Sequence, residues 1–245
     1  AVGAASARAR RRAPGRPRRG LARVACGART KSLAEREAES SMLEAALLKL
    51  FDETDEPDIF LMRETLARLA GICPVPNREI VGQWIIYWAS RETAVDKVFG
   101  TGMTIDAEGV FGFGGLEMKE FLLRFCSKRE GRKAVGVEVI RKVGPFPNMS
   151  NMMKGVYVTS GTRGLRILFD DIQTDGNDNV EVKGKKIESK TVDLDVLYSS
   201  KGLVALQTEG ETEGEYDFFV LTPIADIRAK QEELLGMDRR RFLFN

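Results

Sequence analysis

A chain of 245 residues with 43% hydrophobic and 30% charged side chains has the material for one globular core. No stretch approaches the roughly 20 unbroken apolar residues of a membrane-spanning helix; runs such as Trp84 to Ala89 are short. The net charge of +2 averages two unlike regions, because residues 1–31 hold nine Arg and Lys31 with no acid, +10, which leaves −8 for the rest. An acidic body argues against nucleic acid as the main partner, since neutralising phosphates requires clustered Lys and Arg. The chain has no histidine, which excludes Ser-His-Asp and Cys-His catalysis and removes the commonest transition-metal ligand.

Residues 1–30 are rich in Ala and Arg and free of acid. A basic arm of this kind can grip nucleic acid, but the composition is the usual signature of an organelle transit peptide. Val24-Ala25-Cys26 before Gly27 looks like a plastid processing context of small residues after a valine. Cys26, Cys73 and Cys126 form no CxxC pair. The two outside the leader read as small buried hydrophobes in a reducing compartment.

Residues 32–76 read as a helical segment. Ser32, with Glu35 three residues on, has capping-box spacing. Leu43, Leu47, Leu50 and Phe51 then recur at helical period up to an acidic break at Asp52 to Pro57. A second helix is expected over about Asp58 to Ala70, with Phe60, Leu61, Leu66 and Leu69 toward one side, closing at Gly71. Cys73-Pro74-Val75-Pro76-Asn77 is a rigid connector. From Gly82 the period becomes twofold, and residues 82–221 form the expected β domain. Strands are expected at Gln83–Ser90, Leu116–Cys126, Ala134–Val143, Lys154–Ser160, Leu165–Gln173, Thr191–Tyr198, Leu203–Thr208 and Tyr216–Leu221. Gly-, Asn- and Asp-rich turns separate many of them, which points to a sandwich or barrel, with a meander closing into a barrel favoured. In residues 222–245 a helix from Pro223 to about Leu235, ended by Gly236, leads to the tail Arg239-Arg240-Arg241-Phe242-Leu243-Phe244.

Three motifs resemble chemistry without supplying it. Gly112, Gly114 and Gly115 would need a glycine where Glu117 stands, inside a βαβ unit, to bind a dinucleotide. Asp171, Gln173, Asp175 and Gly176 fall on four EF-hand positions, but Val182 occupies the twelfth, where calcium needs a bidentate Glu. Asp193 and Asp195 share a strand face opposite Val192, Leu194 and Val196, as on a solvated outer surface. No catalytic residue and no metal ligand is assigned.

Gly82-Gln83-Trp84-Ile85-Ile86-Tyr87-Trp88-Ala89-Ser90 resembles the G-x-W-x-L-x-Y-T-S opening strand of the plastid lipid-associated proteins, or plastid fibrillins. Val143-Gly144-Pro145-Phe146-Pro147-Asn148, followed by Met153-Lys154-Gly155, is similar to a segment found in part of that family. Leu203 to Leu206 and Phe218 to Leu221 occupy the place of its closing hairpin. The resemblance spans roughly residues 40–221. It implies a mainly β fold: an antiparallel lipocalin-like barrel, here preceded by two helices and followed by one. It implies a chloroplast protein on the stromal side, peripheral to thylakoids or plastoglobules, that binds or carries apolar lipids such as a quinone, carotenoid or fatty acid without catalysis or other cofactor. The alternative is a structural or assembly subunit of a thylakoid protein complex, with the barrel as docking module. The chain departs from the family at Trp88 and Ala89, at the acidic turn Glu209 to Gly214, and in its added helix and tail. A diverged member could keep a scaffolding role alone.

For a cup of this kind the candidate lumen residues are Trp84, Ile86, Trp88, Val137, Phe169, Tyr198 and Phe218, which would serve equally as packed core. Trp84, Ile86 and Trp88 are expected to face inward together, because strand side chains alternate. Arg239, Arg240 and Arg241 beside Phe242 and Phe244 make the candidate contact with an anionic membrane surface or a protein partner.

The leader reading has a direct check. N-terminal sequencing of protein recovered from the organelle is expected to start beyond about residue 26. A mature form that retains Arg8 to Arg19 would overturn the transit reading and reopen nucleic-acid binding.

Overall fold

A computed structural model describes residues 32–53, 57–72, 80–103, 116–142, 148–174, 181–182, 185–210, 212 and 214–241. Two helices come first, α1 (Leu33–Glu53) and α2 (Ile59–Ile72), then strand β1 (Gly82–Ala89) and a short helix α3 (Glu92–Val98). Strands β2 (Leu116–Phe125), β3 (Lys133–Lys142), β4 (Met149–Ser160) and β5 (Gly164–Thr174) follow. A small ribbon of β6 (Glu181–Val182) and β7 (Lys185–Lys186) precedes β8 (Lys190–Ser199), β9 (Val204–Glu209), β10 (Tyr216–Pro223) and helix α4 (Ile227–Arg241).

Eight strands close into a barrel in the order β1-β10-β9-β8-β5-β4-β3-β2, with every pairing antiparallel. The expected mainly β barrel, with helices before and after it, is therefore the fold found. It is a meander in which the β6–β7 ribbon is inserted between the paired strands β5 and β8. Leu116 to Phe125 is a strand, as expected. The sequence reading missed α3 and the ribbon, and the terminal helix differs from expectation. It begins at Ile227 rather than Pro223, which ends β10, and it runs through Gly236. The leader, the connector 73–77, the glycines at 112, 114 and 115, the family-like segment 143–147, the turn 175–179 and the tail beyond Arg241 lie outside the described residues.

Irregular pairing decides which side chains enter the barrel. Ile86 pairs with Leu221 and Trp88 with Val220, so Tyr87 is an extra residue in β1. Val196 pairs with Leu206 and Tyr198 with Ala205, so Leu197 is extra in β8. A bulge of one residue reverses the inward and outward faces of everything after it. Trp88 and Tyr198, expected inside, are thereby turned outward.

Helices cover much of the outside. The buried faces of α1 (Leu43, Leu47) and α2 (Met62, Leu66, Leu69, Ala70) pack on Leu197, Tyr198, Leu203, Ala205 and Val220, with Trp88 and Phe218 at the margin. Helix α4 lays Ile227 and Leu234 on Leu122, Val137 and Val139. Gln83 fixes its start by accepting from the Ile227 amide at 2.8 Å, satisfying one of the open donors of a helix N-terminus. On α2, Phe60 and Leu61 point to solvent rather than toward the barrel, with Phe60 80% exposed. The buried stripe runs through Met62, Thr65, Leu66 and Leu69 instead.

Trp84 and Trp88 now make a paired test of the bulge. Trp84 is buried in the interior cluster and Trp88 only half-buried beneath α1. Trp84→Ala is expected to lower the unfolding free energy by about 3–5 kcal/mol, and Trp88→Ala by clearly less, as read by urea denaturation. Equal losses would contradict the outward turn of Trp88.

Candidate functional site

The interior is built from inward-facing residues of all eight barrel strands. Trp84, Ile86, Phe121, Leu123, Phe125, Ala134, Met153, Tyr157, Ile167, Phe169, Val192, Leu194, Val204, Leu206, Phe219 and Leu221 form one buried cluster. Of the seven candidate lumen residues, the structure places Trp84, Ile86 and Phe169 in this cluster. The other four lie outside it. Trp88, Tyr198 and Phe218 belong to the cluster beneath α1 and α2, and Val137 to the one beneath α4. Phe218 is outward because its neighbour Phe219 is inward. Val137 shares an outward face with Val135 and Val139, while Ala134 and the buried Glu138 lie on the opposite, inward face.

These side chains pack against one another across the interior. Phe99, completely buried, enters from the turn after α3, its ring 5.3 Å from Phe121 and 5.0 Å from Phe219. On β3, Gly136 is small because a Cβ there would stand 3.0 Å from the Phe121 ring and 3.1 Å from the Phe169 ring. The polar tips of the aromatics are satisfied: Trp84 Nε1 donates to the Ile80 carbonyl at 3.0 Å and Tyr157 Oη to that of Cys126 at 2.8 Å.

One end of the barrel, where β1 leaves and β8 enters, carries a buried polar cluster that sequence reasoning did not find. Glu138 on β3 is fully buried, accepting from the Thr101 hydroxyl at 2.7 Å, the Thr101 amide at 3.2 Å and Asn151 Nδ2 at 2.8 Å. Asn151, also fully buried, accepts from the Thr174 hydroxyl at 2.8 Å. Lys190 donates to the carbonyls of Lys97 (3.1 Å) and Gly100 at the end of α3, where helix carbonyls lack partners. Gly100 allows this approach, since a Cβ there would lie 2.6 Å from the Asp96 carbonyl and 2.9 Å from Glu138 Oε1. At the start of α3, Arg91 donates twice to Asp217, at 2.8 and 2.7 Å, and Ser90 bridges Asp217 to the Phe218 amide. Side chains from β3, β4, β5, β8 and β10 thus fasten α3 and its following turn across the barrel end.

Burial sets the electrostatics of this cluster. Desolvation raises the Glu138 carboxyl above its ordinary range, partly offset by hydrogen bonds from Asn151 and Thr101. Desolvation lowers Lys190 to about 8, against the opposing attraction of Glu138 and Asp96. A perturbed acid and amine side by side can signal catalysis, but Glu138 is enclosed by its own partners, and the cluster reads as the fastening of α3.

Among the described residues, no helix covers the outer face of the second half of β4, of β5 and of the start of β8. Val156 and Val158 on β4 and Leu168 on β5 are exposed there, and Val156 pairs directly with Leu168. A groove of about 700 Å³ lies alongside, lined by Val158, Arg166, Asp193, Asp195, Gln207 and Tyr216 among others. Asp193 is paired with Arg166 at 2.5 Å and both are exposed, so this carboxylate pair sits on the solvated face expected of it. Asp171, one of the EF-hand positions, faces Lys154 at 3.5 Å. No group of three or more His, Cys, Asp or Glu suited to a metal occurs among the described residues. Arg239, Arg240 and Arg241 fall in the last turn of α4, but their side chains, and Phe242 and Phe244, lie outside the described residues.

Comparison with known proteins adds no relative: no family model matches the chain, and no curated protein matches it.

The Lys190 environment has a measurable consequence. Its folded value of about 8 lies below the ordinary 10.5, so the folded state penalises the charged amine. Below about pH 8 both states hold the proton and the penalty is complete. Between about 8 and 10.5 the unfolded chain still holds it while the folded one does not, so stability rises with pH. Urea unfolding across pH 7 to 10 is expected to show this rise in the native protein and its loss in Lys190→Met. Parallel curves for the two proteins would contradict the assignment.

Proposed function

We propose that this chain is a non-catalytic plastid protein that works as a rigid docking module in a protein assembly at a thylakoid surface. The observation that carries this reading is the interior. Phe99, Phe121, Phe169 and Phe219 are buried to 0–1% exposure, with the Phe99 ring tilted against Phe121 and edge-to-face with Phe219. A small barrel either fills its interior with side chains or keeps room for one ligand, and a filled one offers its surface. The resemblance of the β1 segment to plastid fibrillins and the acid-free leader support the plastid setting. The chain's lack of histidine and the enclosure of Glu138 favour binding over catalysis. The surfaces available are the β4–β5 face, with Val158 53% exposed, and the tip of α2, with Phe60 80% exposed. Apolar side chains rimmed by charge are the usual anatomy of a contact surface.

A second reading, an apolar-lipid carrier, is favoured by the aromatic character of that same interior. It requires that side chains now packed together make room.

Photo-crosslinking residues placed at Phe60 and at Val158 separate the two on isolated thylakoid membranes. Docking predicts a discrete protein adduct from at least one position. Lipid adducts alone, or none from either position, would overturn it.

A further inference from the structure

The groove on the outer face of the barrel has a regular build. Arg166 on β5 pairs across the strands with Val158 on β4 and with Asp193 on β8, and Glu209 on β9 pairs with Tyr216 on β10. These five strands are neighbours in the ring, so at about 4.8 Å per gap the row is about 19 Å wide. Val158 and Tyr216 stand exposed at its two ends, and exposed Val156 and Leu168 adjoin the Val158 end. Its charged lining is Asp193, Asp195 and Glu209 against the single Arg166. Arg166 already pairs with Asp193, Gln207 approaches Asp195 at 3.5 Å, and Glu209 makes no ion pair among the described residues. A groove with apolar ends and surplus negative charge fits a segment that carries cations beside large apolar groups.

The chain itself carries such a segment, Arg239-Arg240-Arg241-Phe242-Leu243-Phe244. Leu235 is the last side chain of α4 packed on the barrel among the described residues, and the helix runs on through Gly236 to Arg241. Helix α4 lies over β2 and β3, whereas Asp193, Asp195 and Glu209 stand on β8 and β9, beyond β4 and β5 in the ring. The segment's own groove is thus on another side of the barrel, and the groove that receives it belongs to a second copy.

We propose that this groove is the docking site for residues 239–244 of a second copy of the chain, with the arginines against Asp193, Asp195 and Glu209 and the phenylalanines against Val156, Val158 and Leu168. A helix end is about 10–12 Å across with its side chains, which fits within the row. Arginine suits the position because its planar guanidinium pairs with carboxylates and stacks on an aromatic face, here that of Tyr216. Exchanged reciprocally, two such segments close a two-fold dimer and leave neither groove empty. The charges involved are exposed, so salt weakens the contact. The inference deepens the docking reading and rests on it, naming the partner of one face as a second copy of this chain.

Sedimentation velocity of the whole chain at low salt, from low to high micromolar concentration, reads the association. The native protein is expected to pass from monomer to dimer. A groove variant (Asp195→Lys with Glu209→Lys) and a tail variant (Arg239→Glu, Arg240→Glu and Arg241→Glu) should each weaken the dimer about tenfold or more. Both sets of changes in one chain restore the opposite charges and should restore the dimer. Removal of residues 239–245 repeats the tail test without introducing charge, and circular dichroism confirms that each variant is folded. A native protein that stays monomeric throughout, or a dimer that survives loss of the segment, would overturn the proposal. So would a combined variant that folds and remains as weak as the single ones. The docking reading fails separately: a monomer that still gives a discrete adduct with a different protein from Val158 overturns the dimer and leaves that reading standing.

Discussion

Closing eight antiparallel strands into a ring leaves no free edge, and it also fixes the volume inside that side chains must occupy. Much of this structure follows from that constraint. Large rings of Phe121, Phe125, Phe169 and Phe219 take the centre, and small residues are needed where backbones or rings come close. Gly136 yields to two phenylalanines. Gly155 sits where β5 bulges, and a Cβ on it would stand 1.9 Å from the Leu168 carbonyl oxygen. One barrel end is then closed by a separate element. α3 delivers Phe99, and the polar cluster of Glu138, Asn151, Thr101 and Lys190 satisfies the backbone and side-chain groups that its entry buries.

The outside of the ring follows the opposite rule. Where a helix covers the strands, outward residues are apolar, as with Val137 and Val139 under α4 and Leu203, Ala205 and Val220 under α1 and α2. Where no described helix does, on the second half of β4 and on β5, apolar Val156, Val158 and Leu168 remain in solvent among ion pairs. Their exposure on a sheet face that no described helix covers is the feature on which the proposed association rests.

The barrel was legible because twofold alternation and turn residues survive in any strand with one face buried. Val192, Leu194 and Val196 against Asp193 and Asp195 is the clearest case, and all five face as expected. Three kinds of residue were not legible. Trp88 and Tyr198 were misplaced by single extra residues, Tyr87 and Leu197, which leave no compositional mark. Val137 was misplaced because the apolar face of β3 points to a helix and its Gly136 and Glu138 face to the interior, the reverse of the usual pattern. Glu138 and Lys190 escaped attention because their partners are 37 and 90 residues away at Thr101 and Gly100. Seven residues of α3 are too few for a helical period to declare itself.

The central claim is that the barrel is filled by its own side chains and acts through its surface. Mass spectrometry of organic extracts from the natively purified full-length protein tests it most directly. The account predicts quinone, carotenoid and fatty acid far below one equivalent per chain. A single lipid species recovered at close to one equivalent, and lost on denaturation, would contradict it and make the lumen the functional site.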